Sequence, residues 1–311
     1  MALKTAVRER SPRPPQPAPR RPKGGTLQAR RARTAYLFLT PALLFFALFF
    51  YMPIADIVNT SMHSGPQADR FSGLGNYVDA FGDPSVRNSF SVTLIFAVGT
   101  TVGAIVLGLA LALLVNRPLR GRTLIRLALL VPYLTSVAVV GLLWRNILDP
   151  QLGILNRMLT EFGLPTQAWL NTDPLATIIL VTLWQIAGYT MILFLAGLQG
   201  IPEVYYEAAT IDGANQWQQF WRITLPLLAP TTLFVSVMAV ISGLQAFGQA
   251  YIITNGGPAD ATDLYVFHVF EVAFRSRDFG YSSALSVLLL FVIIAFTAVQ
   301  LRAGRRGEVQ Y

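Results

Sequence analysis

The chain has 311 residues, 53% hydrophobic and 13% charged, with a net charge of +8 and no cysteine. Ordinary soluble domains carry roughly 25% charged residues, so this chain cannot cover a soluble surface; disulfides, zinc–thiolate centres and cysteine nucleophiles are excluded. The positive excess is bunched in the first 33 residues and in short loops beside apolar runs, which reads as membrane orientation and not as nucleic-acid binding.

Residues 1–33 hold ten basic residues, one acid and a Pro-rich run from Ser11 to Arg20. Proline removes backbone donors and like charges repel, so this segment is expected to be a disordered cytoplasmic tail. Beyond it, six segments are apolar and long enough to cross the ~30 Å hydrocarbon layer, which takes about 20 helical residues. They are 34–57, 89–115, 124–147, 175–197, 227–250 and 281–301. The first is longer than the apolar core of a cleaved signal peptide. A seventh stretch, 264–274, is too short to cross and carries His268 and Glu271, which predicts an interfacial or re-entrant helix. His63 and His268 stand far apart and offer no metal-ligand pair, so no metal centre is expected. The fold class is therefore an all-α integral membrane protein with about six transmembrane helices, residues 34–311 forming one transmembrane domain.

Orientation follows from lysine and arginine. With the N-terminus inside, the tail, the 116–126 loop, the 198–226 loop and the C-terminal segment carry 10, 4, 1 and 3 basic residues. The other side holds only Arg70, Arg87, Arg145, Arg157, Arg275 and Arg277. Both termini are expected in the cytoplasm.

Inside the spans, Gly99, Gly103 and Gly108 predict close approach of a neighbouring helix. Embedded polar side chains are expensive and so are candidates for a solute path. Tyr133 lies on the third span, and Gln185 and Tyr189 form an i, i+4 pair on the fourth. Ser242, Gln245 and Gln249 stand at i, i+3 and i+7, one face of a continuous fifth helix. Amide and hydroxyl groups match sugar hydroxyls, and aromatic rings pack on apolar sugar faces. The alternative for each residue is a hydrogen bond to a neighbouring helix, worth about 0.6–2 kcal/mol. The span cores hold essentially no lysine or arginine, and a phosphate ester would prefer a fixed cation. That favours a neutral sugar, although a partner subunit could supply a cation for glycerol phosphate. No carboxylate lies in a span core, which argues against an ion-driven secondary transporter. No convergent nucleophile and base exist, so no catalytic residue and no enzyme activity are expected.

The most informative segment is the long loop 201–226. Pro202 and Glu203 suit a first helical turn, Glu207, Ala208 and Ala209 continue it, and Gly213 can end it in a left-handed cap. Trp217, Phe220, Trp221 and Thr224 then recur at helical spacing, and Pro226 opens the return to the membrane. The predicted shape is a helix–glycine–helix knuckle.

The pattern Glu207-Ala208-Ala209-x-x-Asp212-Gly213-Ala214, followed by Phe220, Pro226 and Pro230, resembles the EAA loop of permeases in binding-protein-dependent ABC importers. The runs Thr254–Pro258, Phe71–Tyr77 and Ala196–Pro202 resemble the carbohydrate branch of that family, the relatives of maltose-transporter permeases. This resemblance implies a type I ABC importer permease architecture in a bacterial inner membrane, forming half of the pathway for a sugar or sugar-like solute. It implies that the first loop helix docks on an ATPase subunit. Glu207 would then be the polar contact, Ala208 and Ala209 the small surface and Gly213 the bend, with Asp212 a further coupling residue. The partners implied are a second permease, two ATP-binding subunits and an extracellular solute-binding protein. The chain has no phosphate loop of the Gly-x-x-x-x-Gly-Lys-[Ser/Thr] type, so ATP belongs to other subunits and no cofactor is expected here.

Overall fold

The computed structural model describes residues 25–66, 68–117 and 121–305; residues 1–24 of the expected tail lie outside the described residues. The chain divides into two compact units, Met1–Ala55 and Asp56–Tyr311. The first holds helix α1 (Gly25–Phe46) and a π-helical turn, Ala47–Tyr51, and α2 (Met52–Ser61) continues from there across the boundary between the units. Helix begins earlier than the tail boundary expected at residue 33. The last proline of the tail is Pro22, and from Thr26 onward the residues are mostly good helix formers, so propensity governs once proline is gone. The stretch Arg31–Ser61 is long and apolar enough to cross a membrane.

The second unit opens with a two-residue antiparallel hairpin, β1 (His63–Ser64) and β2 (Arg70–Phe71). Helix α3 (Gly75–Gly82) closes it: buried Asn76 donates to the carbonyls of Ser61 and His63 at 2.9 and 2.7 Å. Next comes α4 (Pro84–Asn116), whose start is set by the Asp83 carboxylate accepting from Ser85 N at 2.8 Å and by Pro84 in the first turn. Helices α5 (Arg122–Leu134), α6 (Val137–Ile147), α7 (Ile154–Glu161) and α8 (Trp169–Thr172) lead to α9 (Pro174–Gln199).

Four helical stretches pass the length and apolarity test for a span: Arg31–Ser61, α4, α9 and Phe279–Gly304 of α15 (Phe279–Arg305). The other two expected spans are bent pairs, which brings the number to six if each pair counts as one. The expected straight helix 124–147 is instead α5 and α6, turned by 97° at Thr135 and Ser136. Pro132 lies just before the break, and the Ser136 hydroxyl caps α6 by accepting from Ala138 N. The expected straight helix 227–250 begins instead at Gln216, bends by 62° around Leu228 after the short α12 (Leu225–Leu227), and continues as α13 (Ala229–Leu244). Pro226 and Pro230 flank that bend. The helix then stops at Leu244, and a π-helical turn at Ala250–Thr254 follows an irregular link. The short stretch near 264 is α14 (Tyr265–Phe270) with a π-helical turn, Glu271–Arg275, and it packs against α4 and α15.

At the centre, α4 lies along α9. Gly99, Gly103 and Gly108 face Ile179, Leu183 and Thr190, and a Cβ at Gly103 would lie 2.5 Å from Leu183 Cδ1. Their small size is thus used for helix approach, where dispersion holds helices together in lipid. Phe96, Ile178, Met191, Phe194 and Val235 are fully buried around this contact. The ends of α4 and α9 at Asn116 and Gln199 share one groove with the loop that follows α9. Pro84 and Pro174 therefore mark the opposite end of the bundle.

Candidate functional site

The loop after α9 forms the expected knuckle. Its first helix, α10 (Val204–Ile211), ends at Asp212, and Gly213 takes φ +79°, which L side chains rarely adopt. Ala214 N returns to Ala209 O at 2.8 Å and Gly213 N to Thr210 O at 3.0 Å, pairing carbonyls that the helix end would otherwise orphan. Asn215 then opens α11 (Gln216–Gln219) with a capping box, its side chain accepting from Gln218 N while the Gln218 side chain accepts from Asn215 N, both at 2.9 Å. Gln219 Nε2 reaches back to the Thr210 hydroxyl at 3.0 Å, and Tyr206 Oη lies 3.0 Å from Thr224 Oγ1. The two helices are tied by their own polar groups.

On α10 the expected contact residues sit together. Glu207, Ala208, Asp212 and Gly213 are exposed and Ala209 is half-buried against the knuckle. Exposed Val204, Tyr205 and Ile211 add apolar surface. A groove of about 900 Å³ separates α10 from the ends of α4 and α9, and Glu203 and Glu207 both line it. The eight-residue helix α10 thus presents small residues, one acid and an apolar tip on its exposed side.

Between α4, α5, α9 and α13 lies a cavity of about 150 Å³. Four of the six residues expected to line a solute path converge on it: Tyr133, Tyr189, Ser242 and Gln249. The rings of Tyr133 and Tyr189 stack, with centroids 4.4 Å apart and planes within 6°. Two residues go elsewhere. Gln185 is buried and donates from Nε2 to the Thr135 carbonyl at 3.2 Å, across the break between α5 and α6. Gln245 lies beyond the end of α13 and lines a separate pocket of about 190 Å³ with Val266, Val269 and Ser286. Periodicity placed it beside Ser242 only because it assumed an unbroken helix.

Thr100, Thr182 and Thr190 also line the cavity and were not singled out from the sequence. Each donates its hydroxyl to a carbonyl of its own helix, which leaves oxygen lone pairs to accept. Their signal was present, since Thr182, Ile186, Tyr189 and Leu193 mark one face of α9 at helical spacing. No lining residue of this cavity carries a charge.

At the far end of the bundle, the Thr254–Pro258 run is a structured corner. Asn255 takes a left-handed conformation and accepts from Arg275 Nη2 at 3.2 Å, while Arg275 Nη1 pairs with Glu271 at 2.7 Å. Beside it His268 Nδ1 lies 2.9 Å from Asp263 Oδ2, both side chains largely buried. Burial works to lower the His268 pKa, but the hydrogen bond and charge of Asp263, with Asp83 and Asp260, outweigh it and hold the imidazole above its ordinary range.

Residues 104–306 match the family described as binding-protein-dependent transport system inner membrane component. The sn-glycerol-3-phosphate transport system permease protein of Agrobacterium fabrum is 35% identical over 272 residues, 86% of this chain and 93% of the relative. A sulfoquinovosyl glycerol transport system permease protein of the same organism is 34% identical over 281 residues, 88% of this chain and 91% of the relative. A chain from the crystal structure of a bacterial ABC transporter involved in the import of the acidic polysaccharide alginate superposes with a TM-score of 0.78. That match covers 90% of this chain and 98% of the other at 22% identity, a likeness of fold. The curated relatives thus extend beyond the maltose-type carbohydrate branch expected from the sequence. Over most of its length this chain belongs to the family of binding-protein-dependent transport system inner membrane components, and it is a multi-spanning permease component of an ABC-type importer, not an enzyme.

Proposed function

We propose that this chain forms half of the translocation pathway of an ATP-driven importer whose solute is glycerol phosphate or a related glycerol-containing compound. The observation that carries the solute class is the 35% identity to an sn-glycerol-3-phosphate permease across 86% of the chain. A second relative at 34% identity is also named for a glycerol compound. The cavity supports this reading, because Tyr133, Tyr189, Ser242 and Gln249 offer hydroxyl and amide groups to a polyol. The phosphate would be met by a cation of the second permease. One observation favours a second reading, a neutral sugar: the cavity lining has no charged side chain.

The knuckle is the proposed contact with the ATPase. Glu207 supplies the polar contact, Ala208 and Ala209 the small surface, and Asp212 and Gly213 the bend. Two ATP-binding subunits, a second permease and an extracellular solute-binding protein complete the assembly. Both termini and the knuckle face the cytoplasm of a bacterial cell, a placement supported by the arginine bias. Residues 1–24 belong to the basic tail on that side.

The test is uptake into vesicles holding the assembled importer and its binding protein, offered radiolabelled sn-glycerol 3-phosphate and neutral sugars in parallel. ATP-dependent uptake of the phosphate ester is expected. Uptake confined to neutral sugars would replace the first reading with the second.

A further inference from the structure

A second cavity, of about 430 Å³, lies away from the solute cavity, between α3, the first turns of α4, Tyr265 of α14, and α15. Its walls are apolar, with Phe81, Phe90, Leu289 and Val292 prominent. The one hydroxyl in them, that of Tyr265, already donates to the Leu285 carbonyl at 3.1 Å. The remaining polar group is the Arg87 guanidinium.

Arg87 stands one turn into α4, and its backbone N–H bonds to the Asp83 carbonyl. Asp83 would be its natural i, i+4 partner. That carboxylate is engaged elsewhere, accepting from Ser85 N at 2.8 Å and from Tyr281 Oη at 3.1 Å. Among the described residues Arg87 has no ion pair, and its side chain has no hydrogen bond. A cation without an anion thus stands at the side of an otherwise apolar slot.

The slot runs along two helices that pass the spanning test, and it starts at the level where α4 begins. We propose that it holds an acyl chain of an anionic phospholipid, with the phosphate on Arg87. A hydrocarbon chain needs no hydrogen-bond partners, and the walls have none to spare. An extended polypeptide would bring backbone groups that the walls leave unpaired. Basic side chains beside apolar slots between membrane helices suit anionic headgroups, and Phe81 and Phe90 sit where aromatic residues favour the interface.

The experiment uses the assembled importer, extracted in mild detergent from its native membrane and exchanged with phosphatidylglycerol or phosphatidylcholine. Native mass spectrometry then counts the lipid retained. Wild type retains phosphatidylglycerol in preference. Arg87→Gln weakens that retention roughly fivefold, the effect of one basic residue near an anionic headgroup, while Arg87→Lys keeps most of it. Ala295→Trp, at an exposed wall position, closes the slot and removes retention of both lipids. Equal phosphatidylglycerol retention in wild type and Arg87→Gln would overturn the assignment. So would a photo-reactive residue in place of Ala295 that captures a neighbouring protein segment and no lipid. If Arg87→Gln fails to assemble, the Lys and Trp variants decide.

Discussion

Helix α9 and helix α13, the core of the stretch from Gln216 to Thr254, have comparable apolarity, yet only α9 is a continuous span. In α9, proline occurs only in the first turn, at Pro174, and the helix is unbroken for 26 residues. The other stretch contains Pro226 and Pro230, bends by 62°, stops at Leu244, and includes two π-helical turns. Irregular backbone at membrane depth is tolerated where it is buried in protein or lines a cavity. Both breaks meet that condition: the bend is centred on fully buried Leu228, and Gln249, beyond the second break, lines the cavity between α4, α5, α9 and α13. The unbroken helix is the scaffold, packed against α4, α5 and α13. The broken one carries the knuckle's second helix and Gln249.

Four substitutions probe this division. The largest effect is expected at Gly188 of α9, which lies against the Leu129 backbone carbonyl so closely that any Cβ would overlap it. Gly188→Val should cost at least about 1–3 kcal/mol of packing, measured as lost yield and lowered thermal stability of the purified protein. A normal melting temperature would deny α9 its role as scaffold.

Gly213→Val should act differently. Nothing lies within 4 Å of the position a Cβ would take, so the penalty is backbone strain alone, about 1–2 kcal/mol. The bundle should melt almost normally while ATP-driven uptake falls roughly tenfold, as a misplaced contact of that energy implies. Uptake at the wild-type rate would dissociate the knuckle's shape from coupling.

The smallest effects separate the two glutamines. Gln185→Leu leaves the Thr135 carbonyl without its donor, lowering stability by about 0.6–2 kcal/mol. Gln249→Leu should leave stability intact and slow uptake by a few-fold at most, within the scale of one polar contact. If Gln249→Leu melts early and transports normally, the cavity assignment fails at that residue.

The contrast between continuous and broken helices also sets what could be read from the sequence. Hydropathy alone gave the number of apolar segments, because twenty consecutive apolar residues have few other uses. It did not give the bends. Pro132, Pro226 and Pro230 were visible, but proline is tolerated within membrane helices, so its presence did not decide between a kink and a break. The knuckle was legible at Gly213, which acts through local geometry, whereas α10 starts two residues after Pro202 and the Asn215–Gln218 capping box had not been singled out. The lining of the cavity between α4, α5, α9 and α13 was legible only in part. Tyr133 and Tyr189 were found from chemistry, whereas the fates of Gln185 and Gln245 depended on which neighbour each helix end met.

The hydrogen bond from Gln185 to the Thr135 carbonyl also bears on biogenesis. Alone, α5 and α6 would rise about 20 and 16 Å, each short of the ~30 Å layer. During synthesis the carbonyl at their junction emerges 50 residues before the side chain that will bond to it. Until α9 is in place, that junction must stay extended, wet or helical. One hydrogen bond of the third segment's final shape is thus supplied by a part of the chain the ribosome has not yet made when that segment first meets lipid.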